Sequence, residues 1–187
     1  MKRIIVGVSG ASGSIYGIRL LQRLHERPDV ESHLIVTRAG EKTMHQETGY
    51  SLKNLKEMAS HSYSVDEIGA SIASGSSLLD GMAICPCSIN TMSAIATGIA
   101  SNLLVRAADV TLKERRRLIL VVRETPLHLG HLRTMAAVTE MGAIIAPPMP
   151  AFYNNPKTID EIVDQGAGRI LDLFGLESKE TKRWEGV

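Results

Sequence analysis

Residues 3–37 constrain the fold more than any other stretch of the chain. Residues 3–8 are a short β-branched, apolar run bounded by glycine, which reads as a buried strand. Gly7-Val8-Ser9-Gly10-Ala11-Ser12-Gly13 follows as a tight turn of small residues. Residues 14–26 then repeat apolar side chains at Ile15, Ile18, Leu21 and Leu24, near helical spacing. Arg27-Pro28-Asp29 stops that helix, and residues 33–37 supply a second strand. Strand, crossover helix and strand in this order predict a parallel pair, and hence a sheet with helices on both faces.

The rest of the chain continues the alternation. Residues 38–48 and 51–59 read as helices broken at Gly49, 82–85 as a strand closed by Pro86, and 88–97 and 103–116 as helices. A strongly apolar strand over 118–122, a helix over 127–141 and a short strand over 143–146 follow. Residues 60–80 form the least regular stretch, a polar loop of the kind that carries function. Pro147-Pro148-Met149-Pro150 is an extended linker. Thr158 is placed to cap a last helix, with Glu161 at the capping-box spacing, and that helix is expected to bury Ile159, Ile162, Val163, Ile170 and Phe174. The expectation is one α/β domain over residues 1–187, three-layered with a mostly parallel sheet, ending in a short polar C-terminal tail.

Composition removes several function classes. The net charge of +1 provides no bulk field for nucleic acid or an anionic membrane, so an anion site must be local. Aromatic residues are only 4% of the chain, too few for a base-stacking platform. Cys85 and Cys87 flank Pro86, a spacing that suits neither a disulfide framework nor a zinc site, and a reducing, cytoplasmic setting fits best. The first apolar run is too short for a signal peptide, and no run approaches a membrane span.

Five constellations could carry chemistry. The turn after the first strand has the spacing G-x-x-G-x-x-G, with Ser9, Ser12 and Ser14 adding hydroxyl donors; it suits a phosphate or a plain packed βα turn. Cys85-Pro86-Cys87-Ser88-Ile89-Asn90-Thr91 is a strand end opening onto a helix, where ligands of open α/β sheets sit; the cysteines read as buried small hydrophobes. Arg106 is a charge in an apolar surround whose partner is either Asp109 or a ligand phosphate, whereas Arg115, Arg116 and Arg117 read as a solvated helix face. Arg123-Glu124 lies at a strand's carboxyl end, as an active-site pair or a local ion pair. Tyr153 with Arg169 offers a hydroxyl and a forked cation for phosphate, with a core or rim tyrosine as the alternative. The six histidines, His128 and His131 included, show no metal-ligand pattern, and no metal is expected.

Taken together these segments resemble the UbiX/Pad1 family of flavin prenyltransferases from end to end. The matching stretches are Val6-Gly7-Val8-Ser9-Gly10-Ala11-Ser12-Gly13, Glu47-Thr48-Gly49-Tyr50, Ala73-Ser74-Gly75-Ser76, Pro86-Cys87-Ser88, Arg106-Ala107-Ala108-Asp109-Val110 with Leu112-Lys113-Glu114-Arg115, Arg123-Glu124-Thr125-Pro126-Leu127, and Pro148-Met149-Pro150-Ala151-Phe152-Tyr153. The closing Lys182-Arg183-Trp184 is similar to the family's tail.

The resemblance implies a flavodoxin-like or Rossmann-like fold, a homododecamer, non-covalent FMN, and dimethylallyl monophosphate as prenyl donor. It implies a metal-independent reaction that adds a fourth ring to the flavin through N5 and C6, and a product that serves a UbiD-type decarboxylase. By the same resemblance Gly10, Ala11, Ser12, Thr37, Ser88, Ile89, Asn90, Thr91 and Arg123 hold the flavin. Ser74, Arg106, Lys113, Arg123, Tyr153 and Arg169 hold the prenyl phosphate, and Ser12, Glu47, Lys113 and Glu124 are catalytic. Asn90 stands where many members carry Lys, so one flavin-phosphate contact is expected to be a neutral amide. A flavin-dependent cysteine decarboxylase shares the implied fold, but its P-x-M-N substrate clamp is replaced here by Pro148-Met149-Pro150.

Overall fold

The structure is a computed structural model that describes residues 1–178, 181–184 and 186. Six strands, β1 (Lys2–Val8), β2 (Val30–Val36), β3 (His61–Tyr63), β4 (Gly81–Cys87), β5 (Arg117–Val122) and β6 (Ala143–Ile145), form one sheet in the order β3-β2-β1-β4-β5-β6. All five neighbouring pairs are parallel. The connecting helices are α1 (Ser14–His25), α2 (Arg38–Thr48), α3 (Leu52–Met58), α4 (Ile89–Thr97), α5 (Leu103–Lys113), α6 (Leu129–Glu140) and α7 (Ile159–Leu173).

Side-chain alternation along the strands feeds two cores, one on each face. Ile5, Met82, Ile84, Leu118 and Leu120 pack against Met92, Leu104, Ala108 and Val138 of α4, α5 and α6. Ile4, Val6, Ala83, Ile119 and Val121 pack against Ile18, Leu21, Ile170 and Leu171 of α1 and α7. Gly7 is where α5 presses closest on the sheet, since a Cβ there would lie 2.4 Å from Leu104 Cδ1. The chain winds outward from β1 to β3, then returns to place β4 on the other side of β1. The turns leaving β1 and β4 therefore diverge and open a crevice at the carboxyl ends of the strands.

The fold matches the expected three-layer flavodoxin-like arrangement, with differences at particular elements. β2 begins at Val30 rather than residue 33, and the loop over 60–80 contains the edge strand β3 and a single 3-10 turn, Ser71–Ala73. Three residues are too few to display alternation; β3 exists because His61 to Tyr63 pair with His33 to Ile35. α5 ends at Lys113 instead of residue 116, because Arg115 turns left-handed at φ 57°. Arg116 then donates Nη2–H to the Gly75 carbonyl at 2.9 Å and Arg117 opens β5, so the arginine run is not a solvated helix face.

α6 starts at Leu129 because the His128 ring accepts from the amides of Gly130 and His131. Thr158 does cap α7, accepting from the Glu161 amide, but the Glu161 carboxylate returns to the amide of Lys157, one residue before the cap. Ile159 is 79% exposed, not buried, while Val163, Ala167, Ile170 and Leu171 carry the apolar face of α7. Among the described residues no helix is long and apolar enough to cross a membrane.

Candidate functional site

The crevice between β1 and β4 is built by small polar residues. Ser9 is buried and locks the two strand ends together: its Oγ donates to the Pro86 carbonyl at 2.9 Å and accepts the Ser88 amide at 2.8 Å. At Gly10 the turn passes so close to α2 that a Cβ would lie 2.6 Å from Ala39 Cβ. Thr37 ends the β2 connection and caps α2, its Oγ1 accepting from the Gly40 amide at 3.0 Å, which leaves the hydroxyl proton to donate elsewhere. Ser88 caps α4, accepting from the Thr91 amide at 3.3 Å and donating to Thr91 Oγ1 at 3.1 Å. Gly10, Ala11, Ser12, Thr37, Ser88, Ile89, Asn90 and Thr91 are thus gathered around the carboxyl ends of β1, β2 and β4.

Three helices, α1, α2 and α4, begin in this region, and the electrostatics of α1 and α4 differ. At α1 the Glu47 carboxylate accepts from the amides of Gly13 at 2.9 Å and Ser14 at 3.1 Å, and it also takes a bond from the Ser12 side chain. Partial burial alone would raise the Glu47 pKa, but these donors hold it below the usual carboxylate range. The positive end of α1 is already neutralised by the protein itself. The first turn of α4 carries no acidic residue. Its leading amides, Ile89 and Asn90, have no intrahelical partner by construction, and the Ser88 and Thr91 hydroxyls flank them.

Arg123 supplies the charge. It follows β5, its amide bonded to the Cys87 carbonyl at 3.2 Å and its Nε donating to the Ser12 carbonyl at 3.0 Å. Its terminal guanidinium nitrogens have no protein partner among the described residues. Amide, hydroxyl and guanidinium donors around an acid-free helix start fit the phosphate of FMN, so the flavin implied by the resemblance suits the residues present.

The residues expected at the prenyl phosphate are not gathered within one chain. Ser74 bonds Ser76 at 2.8 Å in the loop beside Lys113 and Glu114, which pair with each other. Lys113 ends α5 and therefore lies at the amino end of β5, while Arg123 lies past its carboxyl end. The strand between them is six residues, or roughly 20 Å. Arg106 has Asp109 as its partner at 2.7 Å, the structural alternative. Arg169 pairs with Asp172 at 2.6 Å and lines a cavity of about 210 Å³ with Tyr16, Pro148 and Met149. Tyr153 is exposed rather than in the core, with its ring edge-on to Trp184 at 5.6 Å. Glu124 accepts from the Thr125 amide and forms no ion pair with Arg123 among the described residues.

Cys85 and Cys87 are fully buried, and burial pushes both thiols up, Cys87 to about 12, so neither is a nucleophile. Sequence reasoning missed Ser9 as the clamp between β1 and β4, and missed Asp172, which holds both Arg169 and Arg183. The i,i+3 spacing of Arg169 and Asp172 was a readable signal for the second. No local spacing announced the first, since Ser9 and Ser88 are 79 residues apart.

Residues 1–173 match the family model described as Flavoprotein. Fold and crevice together define a flavoprotein of the α/β type. The chain is 53% identical over 184 residues to the flavin prenyltransferase UbiX of Thauera aromatica, covering 98% of this chain and 94% of that one. It superimposes at a TM-score of 0.97 and 45% identity on the crystal structure of AnUbiX in complex with FMN and dimethylallyl pyrophosphate, over 100% of this chain and 98% of that one. It also matches, at a TM-score of 0.97 and 46% identity, a dodecameric FMN-dependent UbiX-like decarboxylase from Escherichia coli O157:H7, over 98% of this chain and 100% of that one. The chain belongs to the UbiX family of flavin prenyltransferases.

Proposed function

We propose that this chain transfers a dimethylallyl group from dimethylallyl monophosphate to reduced FMN, and that the prenylated FMN it makes serves a UbiD-type decarboxylase. The observation that carries this reading is the anion-ready start of α4 beside Arg123, with the Glu47 carboxylate already occupying the competing helix end. A UbiX structure holding FMN and dimethylallyl pyrophosphate, with 45% identity to this chain, supports it.

FMN is held by Gly10, Ala11, Ser12, Thr37, Arg123 and the α4 start from Ser88 to Thr91. Once bound and reduced it supplies the nucleophilic N5 and C6 to which the C5 unit is joined. The protein's task is the departing phosphate. Breaking the allylic C–O bond concentrates negative charge on that group, and preorganised cations and hydroxyls lower the barrier by meeting it. Arg123, Tyr153 and Arg169 of one copy serve this role with Ser74, Arg106 and Lys113 of a neighbouring copy, because Lys113 and Arg123 stand at opposite ends of β5. Glu124 delivers a proton to the phosphate, and Ser12 with Glu47 handles the proton at flavin N5. No metal takes part in this chemistry.

This arrangement requires assembly. A homododecamer is supported by the dodecameric relative and by the exposed apolar side chains of Met149, Phe152, Tyr153, Ile159 and Trp184, which lie in the segment before α7, at its start and in the residues after it. Residues 1–187 work as one flavin-binding domain with a short tail, and two buried free thiols suit the cytoplasm.

The test is anaerobic incubation of the purified protein with FMN, a reductant and dimethylallyl monophosphate, followed by mass spectrometry of the released flavin. The expected product is heavier by one C5 unit. Unmodified FMN as the only flavin, from folded and assembled protein, overturns the proposal.

A further inference from the structure

The sheet edge remote from the crevice contains a cluster that the prenyl-transfer reading does not use. Glu31 and His33 project from β2, and His61 projects from β3, the residue paired with His33. One nitrogen of each imidazole and a Glu31 carboxylate oxygen all lie within 4.8 Å of one another. His61 Nε2 is 2.6 Å from Glu31 Oε1, and His33 Nε2 is 3.9 Å from the same oxygen. The two rings stack at 4.9 Å between centroids.

His33 makes this more than a surface ion pair. It is only 7% exposed, and its Nε2 is shielded from solvent with no hydrogen-bond partner among the described residues. Buried polar atoms are rarely left in that condition, because the lost hydration is not recovered. The other ring nitrogen, Nδ1, is 3.0 Å from the Tyr63 hydroxyl. If the hydroxyl accepts the Nδ1 proton, the unpartnered Nε2 presents a lone pair toward Glu31 and His61. That is the arrangement by which an outer-shell partner fixes the tautomer of a metal-ligating histidine. Arg3 Nε binds the second oxygen of Glu31 at 3.0 Å, which orients the carboxylate and leaves Oε1 to the two imidazoles.

We propose that Glu31, His33 and His61 form a binding site for a divalent first-row transition ion of the zinc type, which pins the edge strand β3 to β2. Two imidazoles and one carboxylate are a ligand set suited to zinc, with water in the fourth position. At ordinary Zn–N and Zn–O lengths, tetrahedral ligand atoms are separated by about 3.4 Å. The pairs at 2.6 and 3.9 Å reach that separation by opposite shifts of less than about 1 Å, the larger flexibility belonging to the half-exposed His61. β3 has three residues and a free outer edge, so a cation bridging it to β2 stabilises the element that most needs a staple. The site was invisible in the sequence because its ligands lie on two strands, 28 residues apart between His33 and His61, and meet only through the parallel register.

The experiment uses the full-length, tag-free protein stripped of metal, titrated with ZnCl2 by calorimetry and with Co2+ by visible absorption. The expected result is one ion per chain at micromolar affinity or better, a tetrahedral cobalt spectrum, and a raised thermal midpoint in the presence of zinc. His61→Ala, an exposed position, should weaken binding at least about tenfold, as should Glu31→Gln, while His131→Ala leaves it unchanged. No saturable binding by the intact protein overturns the proposal, as does undiminished binding in folded His61→Ala. Binding lost in His131→Ala but kept in His61→Ala overturns it too, by moving the ion to the His128 and His131 pair. Prenyl transfer should be unaffected by a chelator, so this site and the proposed reaction stand or fall separately.

Discussion

Arg123 Nε donates to the carbonyl oxygen of Ser12 across 3.0 Å, joining the residue after β5 to the turn after β1. The Arg123 amide meanwhile holds the Cys87 carbonyl at the end of β4. Three adjacent strand ends are thereby fixed around one crevice by a single residue. Arg123→Ala removes both the bond to the turn and a cation beside the α4 start, so FMN affinity is expected to fall at least about tenfold. Arg123→Lys should not restore it, because an ammonium cannot hold the Ser12 carbonyl and present a forked donor to phosphate at once. Flavin fluorescence quenching on titration reads both. An unchanged Kd in Arg123→Ala would remove Arg123 from the flavin site.

Glu47 gives a stability prediction with a definite sign. Its folded pKa lies below its unfolded value, because the donors at the start of α1 outweigh the effect of burial. Its contribution is therefore fully present above the unfolded carboxylate pKa and is lost as pH falls through the lowered folded value. Glu47→Gln keeps an acceptor oxygen but removes the charge that meets the α1 dipole, at a cost of about 0.3–1 kcal/mol near neutral pH. Urea denaturation of the two proteins across pH checks this. The gap should close in acid, where Glu47 is itself neutral; a constant gap would mean that charge is not the cause.

How much of this was readable in the sequence depends on the range of the interaction. β1, α1 and β2 declared themselves through apolar periodicity and glycine, which are local properties. Thr37 and Ser88 as flavin-site residues came from the family resemblance, and their capping of α2 and α4 went unread although a hydroxyl residue just before a helix is a local signal. The partnership of Glu47 with Gly13 was not, because 34 residues separate them and only the packing of α2 beside the turn brings them together. β3 was missed because its existence depends on pairing with β2 rather than on its own three residues. The arginine run after α5 misled because helical periodicity continues past the point where Arg115 turns left-handed. The residues that the family resemblance assigns to the prenyl phosphate share a chemical type, but their distribution over separate faces of one chain has no counterpart in a linear motif.

Gly17 tests how tightly the crevice is built. A Cβ at this position would stand 2.0 Å from the Cys85 carbonyl oxygen and 3.1 Å from its carbon. The obstacle is strand backbone, which cannot turn aside as a side chain can. Gly17→Ala must push α1 away from β4, two residues before the strand end that carries Ser88. A loss of about 1–3 kcal/mol in unfolding free energy is expected, with weaker FMN binding because the two walls of the crevice separate. Chemical denaturation and flavin titration on the same variant measure both effects. Wild-type stability in Gly17→Ala would show that α1 does not rest on β4 as the structure has it.

The separation of Lys113 from Arg123 leads to a prediction that distinguishes a shared site from a self-contained one. Each residue is expected to stabilise the departing phosphate, so Lys113→Ala and Arg123→Ala should each lower turnover about 100-fold or more. With the length of β5 between them, one chain cannot bring both to the same phosphate, so the proposed site combines Arg123 of one copy with Lys113 of another. If the two variants are unfolded together and co-assembled, some sites pair an intact Arg123 from a Lys113→Ala copy with an intact Lys113 from an Arg123→Ala copy. Activity should then rise well above that of either variant assembled alone, as measured by prenylated flavin formed per protein. If both residues acted within one chain, every chain in the mixture would still lack one of them and no site could be restored. Recovery on co-assembly therefore supports the composite site, and activity no higher than that of the separate variants rules it out.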